Sequence, residues 1–363
     1  MRRQFFLLAF IIIGLQFFSL ILFGQVQPAM DIRPVKDNTG FCWKAEEMNH
    51  FIDFLTQNTP IQKNISGNLI AGISSHDDYL YAGNVYFPLF GNIKTREVVI
   101  FGVTHRTVIK ELGPLSNVLI LDEYSGWTGP YGDVGISPLR EIIKSELPSD
   151  DFIVSNKAHS IEHSIEALIP FLQYYNRDIK ITPIMVTQMS MDRMEEISGR
   201  LSEIIFKYAR SEKLGLGKDI VFLISNDADH YGEDFNNYPY GLDAAAHRLA
   251  TENDIRIINS DLTGMISRDN IYRTAQDLLP DSSKKDIPLW CGRYPIILGL
   301  QTILKVAGNY TDHEVQGHLI KYSDTFTEKV LPVKNTSMGI TAVFSYKHWC
   351  GWFAEGFYLD QDN

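Results

Sequence analysis

Short, uninterrupted apolar runs alternate along this chain with longer stretches of helical spacing. Residues 69–73, 98–103 and 220–224 are rich in β-branched side chains and too short for helices. Such runs suit strands buried on both faces of a sheet. Residues 179–186 offer another strand, although Pro183 points to an edge or a bulge. Apolar positions recurring every three or four residues predict helices over 43–55, 79–90, 138–145, 189–208, 242–258, 268–279 and 293–306. Residues 160–175 read as a further helix kinked near Pro170, and 338–345 as a closing strand of alternating polarity. Strands interleaved with helices predict a single α/β domain: a central sheet, mostly parallel but mixed, flanked by helices.

The start of the chain breaks this pattern. Arg2 and Arg3 precede an apolar stretch over 5–23, interrupted only by Gly14, Gln16 and Ser19. As a helix it would reach about 28 Å, close to one bilayer core. Residues 1–29 therefore read as a membrane-targeting helix, either a retained signal-anchor or a cleaved signal peptide; a buried helix is the remaining alternative. Both export readings put the body outside the cytoplasm, because the positive flank stays inside. Residues 30–37, polar with Pro34, read as a tether, 38–350 as the folded domain and 351–363 as a C-terminal tail.

Composition narrows the function. A content of 45% hydrophobic and 21% charged residues is that of a globular protein. The net charge of −11, with no long basic run, argues against nucleic acid as a partner. Cys42, Cys291 and Cys350 are too few for a disulfide framework, and their odd number leaves at least one unpaired or ligand-bound.

The chemistry collects where apolar runs end. His76 follows the first run within Ser75-His76-Asp77-Asp78, and His105 follows the second. Neighbouring carboxylates at 77 and 78 are placed to orient His76, or Asp78 simply caps the next helix. His163, in Glu162-His163-Ser164-Ile165-Glu166, falls at a predicted helix start, where the acids suit the dipole and the imidazole is expected neutral and hydrogen-bonded near a pocket. The third run opens into Ser225-Asn226-Asp227-Ala228-Asp229-His230. Asp227 and His230 suggest an acid/base pair with the carboxylate setting the imidazole tautomer, against a plain capped turn. Cys291, at the mouth of the 293–306 helix and beside Arg293, is a metal-bound thiolate, a buried core thiol or a disulfide partner; the dipole and Arg293 favour its thiolate. His76, His105 and Cys291 together make a plausible three-ligand metal set with open positions.

Taken in order, these segments resemble the Memo family, the B component of the AmmeMemoRadiSam group. The match begins at Gly40-Phe41-Cys42 and includes Ser75 to Gly83, Gly102 to Arg106, Glu162 to Glu166, Ser225 to Gly232, and Cys291-Gly292-Arg293-Tyr294-Pro295-Ile296. Two departures stand out: Ser75-His76-Asp77-Asp78 replaces the family's P-H-A-G, and Arg106 replaces a second histidine. The resemblance implies a fold similar to class III extradiol dioxygenases and a metal site at His76, His105 and Cys291. It also implies acid/base or pocket roles at Asp227 and His230, with His163 beside them. Iron or copper is the implied metal, and the partner proteins of the AmmeMemoRadiSam group are the implied associates. Two functions follow. One is a metal-dependent, dioxygenase-like redox enzyme acting on a small substrate. The other is a non-catalytic module whose vestigial pocket binds a peptide or partner protein.

Overall fold

The three apolar runs lie side by side in the middle of a 13-stranded sheet. The structure is a computed structural model that describes residues 31–60, 65, 67–281 and 287–359. The expected membrane-targeting segment 1–29 lies outside these residues. Among the described residues no helix is long and apolar enough to cross a membrane. From Ile32 onward the chain forms one compact unit.

The strands are β1 (Ile32–Arg33), β2 (Asn68–Ser74), β3 (Glu97–Val103), β4 (Leu119–Leu121), β5 (Gly126–Gly129), β6 (Gly132–Ile136), β7 (Phe152–Val154) and β8 (Lys180–Val186). They continue with β9 (Ile220–Ser225), β10 (His230–Tyr231), β11 (Gly264–Met265), β12 (Val315–Asp324) and β13 (Trp349–Leu359). The α-helices are α1 (Ala45–Asn58), α2 (Tyr79–Phe90), α3 (Arg106–Leu112), α4 (Leu139–Glu146), α5 (Asn156–Ile161), α6 (Ile169–Tyr175), α7 (Met191–Ser211), α8 (Ala244–Ile257), α9 (Arg268–Leu278) and α10 (Arg293–Tyr310). Along the sheet the order is β1-β5-β6-β8-β3-β9-β2-β13-β12-β11. From β6 to β2 the neighbours run parallel, and β13 and β12 continue antiparallel.

Burial explains the unbroken apolar runs. Every residue of β3 is buried, and successive side chains go to opposite faces. Val99 and Phe101 join one core with Leu201 of α7 and Leu300 of α10. Val98 and Ile100 join the other with Phe51 of α1, Tyr86 of α2 and Phe171 of α6. Fully burying each such side chain contributes roughly 1.5–3 kcal/mol. With both faces covered, ligand chemistry is left to the strand ends.

Several expectations need correction. Residues 351–359, expected in a tail, belong to β13, which is buried almost throughout and pairs with β2 and β12. Gly351, Glu355 and Gly356 hid this strand by interrupting its apolar pattern. The closing strand expected at 338–345 is instead irregular. Its backbone bonds go to α2, to the residue before it and to the segment before α1: Ala342 O accepts from Tyr81, Thr341 N donates to Asp78, and Gly339 N donates to Thr39 O. The expected tether contains β1, whose Arg33 is buried. Pro183 lies in an interior strand, tolerated because the outer side of β8 pairs only at residues 180–181 and 185–186.

Candidate metal centre

Three parallel neighbours in the order β3-β9-β2 bring their carboxyl ends together. His76 stands two residues past β2, His105 two past β3, and the segment 226–230 follows β9. α10 delivers Cys291 to the same place. Gly292 makes this possible, since a Cβ there would lie 2.5 Å from Ser225 O and 2.6 Å from Asn226 Cβ.

His76 is buried, and its backbone N–H donates to Asp227 Oδ1 at 3.0 Å. Its Nδ1 lies 2.7 Å from Ser225 Oγ, whose hydroxyl donates to Ser164 O at 2.7 Å. With its one proton so committed, Ser225 must accept from His76, which puts the ring proton on Nδ1. The Nε2 lone pair is left to face the Cys291 thiol. It lies 3.3 Å from Cys291 Sγ and 3.4 Å from Asp227 Oδ2.

His105 is held by Glu162. Its Nδ1 lies 2.7 Å from Glu162 Oε1, and its backbone N donates to Oε2 at 3.0 Å. Glu162 Oε1 also accepts from the backbone N–H groups of His163 and Ser164. Burial alone would raise the Glu162 pKa, but His105 and these donors hold it well below the carboxylate range. Burial lowers the His105 pKa, and the Glu162 carboxylate more than reverses this. The carboxylate thus steers Nε2 of His105 toward the centre.

The residues 162–166 do not open a helix, as their acidic pattern suggested. α5 stops at Ile161, Glu162 caps it, and a loop leads to a short 3-10 turn at Glu166–Leu168. Gly102 lets that loop lie on β3, because a Cβ there would sit 2.4 Å from Ile165. Arg33 anchors it from outside, donating to Glu162 O at 2.6 Å and pairing with buried Glu166.

Ligating atoms of His76, His105 and Cys291 all lie within 4.8 Å of one another. The same closeness holds for His105, Glu162 and His163, and for Asp227, His230 and Cys291. The first set fits a soft-to-borderline metal best. Two imidazole lone pairs are fixed by partners on the opposite ring nitrogens, and the sulfur faces one of them. Glu162 is committed to four protein donors, which weakens the second set.

Other placements differ from expectation. Asp77 accepts from Trp352 Nε1, and Asp78 from Thr341, so neither orients His76 and the Asp78 side chain does not cap α2. Ser225 does the orienting. The His230 ring bonds Ala228 O at 3.2 Å, so the Asp227 carboxylate, turned to His76, does not set its tautomer. Burial keeps His230 below the ordinary histidine pKa. His163 stacks on His105 with centroids 4.8 Å apart and is held neutral by burial and by His105. Cys291 reverses the expectation of a favoured thiolate: burial first, then Asp227, push its pKa well up, outweighing Arg293. It accepts a hydrogen bond from Asp227 N at 3.1 Å. All three cysteines are free, which sets aside the disulfide alternative.

Comparison with known proteins identifies relatives of the chain. Residues 41–333 match the model of the Memo-like protein family. A MEMO1 family protein of Aquifex aeolicus is 33% identical over 227 residues, covering 60% of this chain and 75% of that protein. One from Thermococcus kodakarensis is 30% identical over 202 residues, covering 52% of this chain. The match spans 63% of that protein's length. One from Pyrococcus abyssi is 29% identical over 215 residues, covering 55% of this chain and 68% of its own.

Proposed function

The chain belongs to the Memo family, and from that premise we propose that it is a metal-dependent redox protein acting on a small substrate. His76, His105 and Cys291 would hold iron or copper, a choice suited to two imidazoles and one sulfur. The observation that carries this is the pair of fixed tautomers: Ser225 and Glu162 each occupy an Nδ1 and leave an Nε2 lone pair beside the Cys291 sulfur. When bound, such a metal would supply redox and Lewis-acid chemistry at open coordination positions.

The surrounding residues suit proton handling. His230 is kept below the ordinary histidine pKa by burial and bonds Ala228 O through Nδ1, which suits it to take a proton from a substrate. Asp227 is biased toward its protonated form by burial, although His230 and the His76 N–H act against that. It is poised to exchange a proton beside His76. His163 covers one side of His105 and limits the approach of water. The resemblance to class III extradiol dioxygenases supports oxygen-dependent chemistry, and association with AmmeMemoRadiSam partner proteins belongs to the same proposal. The apolar stretch at 5–23 supports membrane targeting or export with the body outside the cytoplasm; full-length protein found free in the cytosol would refute it.

Anaerobic purification, metal analysis and oxygen-uptake assays test the reading. Stoichiometric iron or copper with substrate-dependent oxygen consumption is expected. Metal without turnover across candidate substrates would favour a binding module, and absence of metal affinity would refute the metal site.

A further inference from the structure

α8 begins at Asp243, whose carboxylate accepts from Ala245 N and Ala246 N. Its buried face runs Ala246, Ala250, Asp254, Ile257. Burial alone would put an aliphatic side chain at the third of these positions. A buried carboxylate persists only where donors meet it, and here two of its three donors, Trp290 and Asp229, lie next to site residues. Asp254 Oδ1 accepts from Trp290 Nε1 at 2.6 Å; Oδ2 accepts from Tyr322 Oη at 2.9 Å and from Asp229 N at 3.2 Å.

Trp290 immediately precedes Cys291, and Asp229 immediately precedes His230. The two loops are bolted together along their length. Gly292 N donates to Asn226 Oδ1, Asp227 N to Cys291 Sγ, Leu289 N to Asp229 Oδ1 and His230 N to Leu289 O. Those bonds join the loops to each other. Asp254 ties both to a helix and, through Tyr322, to β12. Room is kept for it by Gly351, where a Cβ would lie 3.0 Å from Asp254 Oδ2 and 2.7 Å from Tyr322 Oη.

We propose that Asp254 is a positioning residue that sets the Cys291 sulfur against His76 by gripping the Trp290 and Asp229 backbone-flanking groups from α8. The proposal rests on the metal-binding reading above. It adds that the sulfur's placement depends on an acid outside the short motifs that carry the family resemblance, though within the matched residues 41–333.

The test uses the full chain and Co(II), whose sulfur-to-cobalt charge-transfer band reports thiolate ligation independently of activity. Asp254→Asn should weaken Co(II) binding by about tenfold and reduce that band per bound ion. Trp290→Phe keeps the ring against Phe353 but removes the donor, and should do the same. Because Trp290→Phe breaks one of the bonds that Asp254→Asn also breaks, the double variant should lose no more than about twofold beyond Asp254→Asn alone. If Asp254→Asn fails to fold, Trp290→Phe decides by the same readouts. Wild-type binding with a full band, retained within about twofold in the folded variants, would overturn the positioning role alone. A wild type that shows no such band would overturn the metal reading and this proposal together.

Discussion

His105 and Cys291 bring ligating atoms to the same centre from separate segments, and the two walls of the site that they belong to carry opposite electrostatics. On the His105 side, Glu162 is held ionised, and Arg33 with Glu166 braces the loop behind it. On the Cys291 side, burial pushes Cys291, Asp227 and Asp229 upward, toward their protonated forms. One wall is charged before any cation arrives. The other must release a proton to solvent as the cation binds. The difference teaches that ligand identity and ligand readiness are separate properties: the stronger donor, a thiolate, is the one the fold keeps protonated.

The largest effect should come from breaking the charged wall at its brace. Arg33→Met leaves Glu166 buried with its backbone donors from Lys36 and Asp37 alone. The expected loss is about 3–5 kcal/mol of stability in urea denaturation. A loss below about 1 kcal/mol would mean the brace is not electrostatic.

Next is Glu162→Gln, which should weaken metal affinity about 10–100-fold and cost about 1–3 kcal/mol of stability at pH 7. The pH dependence of metal-free protein sharpens the comparison. Glu162 has a folded pKa below its ordinary 4.5, so its stabilisation is complete above that value and lost as pH falls through the folded pKa. The gap between wild type and Glu162→Gln should therefore close in acid.

Asp254 should show the reverse sign. Burial pushes its pKa from 3.8 up to about 6. Its stabilisation is complete below the former and lost as pH rises through the latter. Relative to wild type, metal-free Asp254→Asn should gain stability between those values. Parallel pH trends for the two variants would erase the contrast between the walls.

The smallest effect belongs to His163→Phe, which preserves the stacked ring. Metal affinity should stay within about threefold, corresponding to roughly 0.6 kcal/mol. A loss as large as that from His105→Ala would move the metal to His105, Glu162 and His163.

Much of this arrangement was legible before the fold was seen, for definite reasons. Strands buried on both faces must be apolar throughout, so β2, β3 and β9 announced themselves and their polar sequels marked the site. β13 did not, because its glycines make room for packed side chains and its Glu355 is a buried acid in mid-strand. Glu162 was visible in its motif, but its acidity was attributed to a helix start that does not form. Ser225 was quoted without a role, since its task depends on Ser164, brought close only by the fold. Asp254 gave no sign at all. An isolated acid on a helix reads as solvent-facing until its neighbours on that face prove buried.

The measurement that bears most directly on the shared site is metal content and affinity of Cys291→Ser beside wild type, purified without oxygen. Serine keeps the size but offers a harder, poorer donor. The account predicts bound iron or copper in wild type, affinity reduced at least about tenfold in the variant, and a cooperative unfolding transition in both. Unchanged metal affinity in a folded Cys291→Ser would contradict it.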